Sequence, residues 1–374
     1  MPLRITFFGL TLSSSWGNGH ATPYRALIRA LHALGHQITF FEKDVPYYAR
    51  HRDFTAVEYC DLVLYQDYSA VSSQALARAR QSDVVVMGSY CPEGARIAED
   101  LFRDVGSGAL LVFYDLDTPI TLGTWSRGEE VEYVRQDQLP LFDLVLSFTG
   151  GGILGELEQR YGARMARPLY GCVDADVYSR VAAEPKFVCD LSYMGTYAAD
   201  RQAKLASLFL SPAAQLSTRQ FLLAGSMYPP ELALTSNIKR MQHVSPYEHP
   251  ALYSSSGLTL NITRGEMAAW GYCPSGRFFE ASACRCPIVT DEWTGLDTFF
   301  EISGAERELL LARRTQDVLD ALALDPQERA AIAGRARERT LDEHTGTQRA
   351  RQFLRACEEA ANATMSSTAE GAAS

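Results

Sequence analysis

ITFFGLTLSSSWGNGHATPYRALIRALHALGHQITFF, residues 5–41, decides the fold. The apolar run from Ile5 to Leu12 breaks at a serine- and glycine-bearing turn. Leu27, Ala30, Leu31 and Leu34 then recur at helical spacing, and Gly35 closes the helix. Ile38-Thr39-Phe40-Phe41 follows as a second apolar strand, so the stretch reads strand, turn, helix, strand: a βαβ unit. The same rhythm continues through Leu62–Tyr65, a helix around Gln74–Arg80, Val84–Met87, a helix near Ala95–Phe102, Leu110–Phe113 and Leu144–Ser147. Strands that are apolar throughout, without alternation, belong to a parallel sheet covered on both faces.

PLYGCVDADVYSRVAAEPKF, residues 168–187, has the Gly, Pro and Asp content of a connection, and a hinge is expected near residue 175. A second α/β series follows it. Strands are expected at Asp190–Met194, Phe221–Ala224, Leu258–Asn261 and Pro287–Thr290, with helices at Arg201–Phe209 and Arg277–Ala283. Helical periodicity returns at Thr315–Leu324 and Pro326–Cys357. Two doubly wound domains agree with a chain of 374 residues, since a domain holds roughly 150. Such domains bind ligands outside the carboxyl ends of their strands, and a cleft between the two is expected there.

Composition narrows the function. The formal charge of −10 and the absence of a Lys/Arg block argue against a nucleic-acid backbone or an anionic membrane as principal partner. The eight cysteines form no C-x-x-C pair, so neither a zinc ribbon nor a disulfide framework is indicated, and reduced, buried thiols are expected. The opening apolar stretch of about six residues is too short for a signal peptide or a membrane span, which makes the cytoplasm the expected location.

Candidate chemistry lies after the strands. Gly17 and Gly19 bracket a turn into the first helix, where backbone amides can approach an anion, although the spacing is not that of a dinucleotide fingerprint. His20 at this turn is either ordinary turn chemistry, a sugar contact or a base. Asp115 and Asp117, in YDLDTP, read as a general base for an acceptor hydroxyl, as an Asp-x-Asp metal pair, or as caps of a turn. Gly150 and Gly151 either approach a ligand or permit close packing. In the second series Arg264 follows a strand, Arg277 opens a helix and Glu280 lies one turn on, an arrangement suited to a diphosphate and the two hydroxyls of a ribose. The bland alternative is a surface ion pair between Arg277 and Glu280. Gly195, Thr196 and Arg201 repeat the theme at the head of the second series, with Arg201 a phosphate contact or a solvated helix residue.

These residues carry a resemblance. GRFFEASACRCPIVTDEWTGLDTFFE resembles the donor-binding region of group 1 glycosyltransferases, and PLYGCVDADVY is similar to the Gly-Val-Asp connection that precedes it in those enzymes. YDLDTP, LNITR, RFFEA and Asp291 resemble the CgeB-like subgroup. The resemblance implies a GT-B fold, two Rossmann-like doubly wound domains facing a central cleft. It implies a nucleotide-diphosphate sugar (UDP-, dTDP- or GDP-linked) as cosubstrate, no other cofactor and no obligatory metal. Expected domains are 1–174 for the acceptor and 175–340 for the donor, then a helix at 341–360 packing back on the first domain and a disordered tail at 361–374. Donor contacts are implied for Gly195, Thr196, Arg201, Arg264, Arg277, Phe279, Glu280 and Asp291, and catalysis for Asp117, Asp115 or His20. Two positions depart from the family pattern. Tyr272 stands in place of the first glutamate of its Glu-x7-Glu motif, and Arg285 in place of a turn glycine. Transfer of the sugar to an unidentified acceptor is the expected reaction. A sugar-nucleotide epimerase or a non-catalytic nucleotide-sugar-binding protein are the alternatives.

Overall fold

A computed structural model describes residues 1–17 and 19–371. The first unit comprises residues 1–170 and 346–374, and the second comprises 171–345. In the first unit the strands are β1 (Arg4–Gly9), β2 (Gln37–Lys43), β3 (Asp61–Tyr65), β4 (Val84–Gly88), β5 (Leu110–Asp115), β6 (Leu144–Ser147) and β7 (Ala166–Pro168). Between them run α1 (Ala21–Ala33), α2 (Pro46–Ala49), α3 (Tyr68–Arg80), α4 (Gly94–Asp104), α5 (Thr118–Ser126) and α6 (Gly152–Gln159). The sheet is parallel, in the order β3-β2-β1-β4-β5-β6-β7. Every residue of β4 is buried, as an interior strand covered on both faces requires.

The second unit holds β8 (Cys189–Met194), β9 (Phe221–Ala224), β10 (Ile238–Met241), β11 (Ser256–Asn261), β12 (Ile288–Thr290) and β13 (Leu310–Leu311). Its helices are α7 (Gln202–Leu205), α8 (Ser211–Gln215), α9 (His249–Ser255), α10 (Gly265–Trp270), α11 (Gly276–Ala283), α12 (Thr315–Ala323) and α13 (Pro326–Glu343). A π-helical stretch over Ala206–Leu210 joins α7 to α8, so the helix expected at Arg201–Phe209 is longer and carries a bulge. The strand order β10-β9-β8-β11-β12-β13 is also parallel. In each unit the strand order reverses about one pair, β1/β4 in the first and β8/β11 in the second, and these reversals are where doubly wound sheets bind ligands.

The segments that enter and leave the second unit pair with each other, Val173 donating its N–H to the His344 carbonyl at 3.0 Å. The periodicity over 326–357 is broken at His344 and Thr345, and α14 (Gly346–Gly371) returns to the first unit. Its Ala350, Phe353, Ala356, Cys357 and Ala360 share one buried core with Ile5, Phe7, Leu27 and Leu31. The Phe353 ring lies 6.3 Å from that of Phe7, and a buried side chain of this size contributes about 1.5–3 kcal/mol. At its first residue α14 touches α1: a Cβ on Gly346 would come 2.4 Å from the Ala26 carbonyl oxygen. The helix continues through 361–371, part of the stretch expected as a disordered tail, and residues 372–374 lie outside those described. All eight cysteines are buried.

Candidate functional site

In the second unit the candidate residues gather at the carboxyl ends of β8, β9, β11 and β12. Gly195 and Thr196 follow β8. Gly225 follows β9 at φ +150°, and a Cβ there would stand 2.0 Å from the Gly195 carbonyl oxygen, so the two loops interlock only with glycine at 225. The Arg201 Nη2 donates to the Thr196 carbonyl, while its buried Nε has no hydrogen-bond partner among the described residues. Burial pushes the Arg201 guanidinium below its ordinary pKa; nearby Arg277 adds to the push and Tyr193 opposes it.

Arg277 sits at the start of α11, whose N-cap Ser275 accepts its backbone N–H. Its Nη1 donates to Asn261 Oδ1 at 2.7 Å, and the guanidinium carbon lies 5.8 Å over the Tyr193 ring. Among the described residues neither Arg201 nor Arg277 has a carboxylate within ion-pair distance, which removes the surface-pair reading of Arg277 with Glu280. Arg264 ends the loop after β11 and its Nε stands 4.0 Å from Asp200 Oδ2, beyond hydrogen-bond distance, while that oxygen accepts the Gly265 N–H at 2.7 Å.

Glu280 is buried on α11. Tyr253 Oη donates to its Oε2 at 3.5 Å, and His249 Nδ1 lies the same distance away. Asp291, after β12, is committed within the protein. Its Oδ1 accepts the N–H and the hydroxyl of Thr263 at 3.0 Å each, and its Oδ2 accepts Lys204 Nζ at 2.6 Å. It therefore fixes the loop that carries Arg264 and draws a fourth cation into the cluster. Phe279 is corrected: it is fully buried against Phe300 and His344 and has no surface to offer a donor. The two departures from the family pattern also resolve. Arg285 keeps the left-handed turn at φ 56°, and the Arg285 and Cys286 amides donate to the Ser282 and Ala281 carbonyls as in a Schellman cap. Tyr272, at φ 47°, lays its ring where a Cβ on Gly295 would otherwise project, 2.4 Å away.

In the first unit His20 stands at the N-cap position of α1, and its Nε2 lies 3.2 Å from Asp117 Oδ2. Asp117 is the more exposed of the pair, with 21% of its side chain accessible against 11% for His20. Asp115 ends β5 and accepts the Asp117 N–H at 3.0 Å. Burial pushes its pKa up to about 6 and the Asp117 charge adds to this, while the Thr121 hydroxyl, the Asp117 N–H and Ser89 hold it back. Fully enclosed, Asp115 cannot touch a substrate, and the pair does not present two carboxylates outward as a metal would need. Among the described residues no three His, Cys, Asp or Glu side chains cluster as a metal site.

Glu42 on β2, unread in the sequence, organises the loop after β1. Its carboxylate accepts the Thr11 and Ser13 hydroxyls and the amides of Leu12 and Ser13. Gly17 is left-handed at φ +66° and packs on Tyr47, a Cβ at Gly19 would meet open space, and Asn18 lies outside the described residues. Gly150 fits close packing: a Cβ would lie 2.0 Å from Tyr170 Oη. Gly151, at φ +66° and ψ −143°, caps α6 in a conformation open to glycine. Lys204 was also missed, although its place three residues after Arg201 on one helical face was a readable signal.

Residues 201–355 match the family model described as glycosyl transferase-like. No curated protein sequence matches the chain. Among solved structures, an alpha-glucosyltransferase in complex with UDP is 11% identical with a TM-score of 0.69, over 95% of this chain and 100% of that one. A sucrose-phosphate synthase from Thermosynechococcus elongatus is 13% identical with a TM-score of 0.64, over 96% and 98%. Anabaena HepE in complex with UDP-glucose is 13% identical with a TM-score of 0.61, over 96% and 100%. The chain has their fold, GT-B, with two Rossmann-like doubly wound units. No described helix is long and apolar enough to cross a membrane.

Proposed function

We propose that the protein transfers a sugar from a nucleotide-diphosphate sugar to an acceptor hydroxyl without an obligatory metal, and that within the glycosyl transferase-like description it stands nearest the CgeB-like enzymes. The observation that carries this reading is the pair Arg201 and Arg277, held side by side without a carboxylate at the strand reversal of the second unit. Two neighbouring guanidiniums repel each other, and a bound diphosphate relieves that repulsion with forked, charge-assisted hydrogen bonds.

In the proposed step the bond from the anomeric carbon to the diphosphate oxygen breaks and the acceptor oxygen bonds to that carbon. The acceptor proton passes to Asp117, and the negative charge left on the diphosphate falls to Arg201, Arg264 and Arg277, where preorganised cations stabilise it most. His20 Nε2, 3.2 Å from Asp117 Oδ2, holds the carboxylate in place and leaves its other oxygen for the acceptor. Glu280 accepts the ribose hydroxyls. UDP or UDP-glucose in two of the similar structures supports a UDP-sugar as the first donor to try. Eight buried cysteines with no C-x-x-C pair support a reducing compartment, the cytoplasm.

Calorimetry with UDP tests the donor site. Arg277→Ala should weaken binding by about 10- to 100-fold, the worth of a hydrogen bond to a charged group, and unchanged affinity overturns the assignment. Asp117→Asn should abolish transfer while sparing UDP affinity. An isomer formed from donor alone, seen by NMR, would favour an epimerase instead.

A further inference from the structure

The loop after β4, Ser89 to Gly94, lies at the strand reversal of the first unit, and it is strained. Tyr90 and Glu93 are both left-handed, at φ 60° and 59°. A side chain other than glycine pays roughly 1–2 kcal/mol for that conformation, and such outliers persist where something over-determines them. The framework is rigid: Ser89 N–H donates to the Tyr114 carbonyl at 3.0 Å and Ser89 Oγ accepts the Leu116 N–H at 3.0 Å. A Cβ at Gly94 would come 2.6 Å from the Tyr133 carbonyl. Between these fixed points Tyr90 keeps 36% of its surface accessible, although it is a large aromatic residue in a loop otherwise packed inward.

Its ring packs on Tyr133 and His20. It stacks on Tyr133 at 5.0 Å and 29°, and it meets His20 edge to face at 5.2 Å and 74°. Tyr133 is itself buried, its hydroxyl 2.7 Å from Thr121 Oγ1, so it is a fixed backing. The ring of Tyr90 thus stands beside the His20–Asp117 pair, braced from behind.

We infer that Tyr90 is an acceptor-positioning residue. Its exposed ring is a wall against which a ring-bearing acceptor lies, C–H face or π face to the aromatic, while the acceptor hydroxyl meets Asp117. The shared chemistry is a hydroxyl on a six-membered ring with a face that can lie on an aromatic, supplied either by the C–H face of a pyranoside or by the π face of a phenol. This rests on the transfer reading for the role of Asp117. The wall itself depends only on the first unit.

Saturation-transfer NMR on the full chain, with methyl β-D-glucopyranoside and 4-methoxyphenol as probes, tests it. Wild type should transfer saturation to the ring protons of one of them, and which one identifies the source. Tyr90→Phe should keep the effect. Tyr90→Leu, which preserves bulk against Tyr133, and Tyr90→Gly, which relieves the backbone, should each lose it fivefold or more. Failure of both probes to bind wild type, binding by the Leu or Gly variant equal to that of wild type, or loss in Tyr90→Phe would each overturn the inference. UDP calorimetry on the same proteins reads the donor site separately: absent UDP binding with the probe contrast intact would sink the transfer reading and leave the wall standing.

Discussion

Asp115→Asn removes an ionisable group from a fully enclosed place while leaving an oxygen to accept the Asp117 N–H. Burial raises the folded pKa to about 6 from an ordinary value of 3.8. At 1.36 kcal/mol per pH unit that difference is worth about 3 kcal/mol. The sign follows from which form the fold prefers. The folded chain favours the protonated acid, so wild type has the full contribution below about pH 4, loses it as pH rises through about 6, and has lost all of it a little above. Asn does not titrate. The difference in unfolding free energy between variant and wild type should therefore widen by about 3 kcal/mol in favour of the variant between pH 4 and pH 8. Urea titrations at several pH values in that range, read at the transition of the first unit, measure it. A difference that stays constant across the range refutes the buried-charge argument. UDP affinity should not change, because Asp115 belongs to the other unit.

Arg285→Gly should raise the thermal midpoint, with a net gain of about 0.5–1 kcal/mol: the left-handed cap is relieved and part of the gain is offset by the freer unfolded chain. A lowered midpoint would show that the Arg285 guanidinium, which reaches toward Gly334 on α13, outweighs the strain. Lys204→Met should cost about 1–3 kcal/mol by leaving a buried Asp291 oxygen unpaired, and adding Asp291→Asn should restore most of it. Thermal unfolding of the two single variants, the double variant and wild type closes the cycle, and additive losses would show that the pair does not act as a unit.

The strands were legible because each is an uninterrupted apolar run. Val84–Met87 and Leu144–Ser147 need no alternation when both faces are covered, and the structure places strands on both. Arg264, Arg277 and Glu280 were legible for a different reason, since a residue just past a strand or at a helix start is directed by backbone geometry. Phe279 went wrong because helical neighbours share a motif but not a face: between Arg277 and Glu280, its ring turns into the core. Tyr90 left no trace in the sequence. Its backbone is left-handed, and SYCPEG carries no glycine at that position to announce it. Lys204 with Asp291 and Glu42 with its loop are pairings across 87 and about 30 residues, set by strand order, which local spacing cannot reveal.

The return of α14 to the first core imposes an order on biosynthesis. Phe7 and Leu27 leave the ribosome long before the helix that covers them, which begins at Gly346, after the whole of the second unit. At about 5–20 residues per second, the nearly two hundred residues between Tyr170 and Ala360 take roughly ten to forty seconds to synthesise. Throughout that interval one flank of the nascent first sheet stays bare, while the second unit, an uninterrupted stretch whose two ends pair with each other, has everything it needs to close. The unit that is begun second is in a position to finish first.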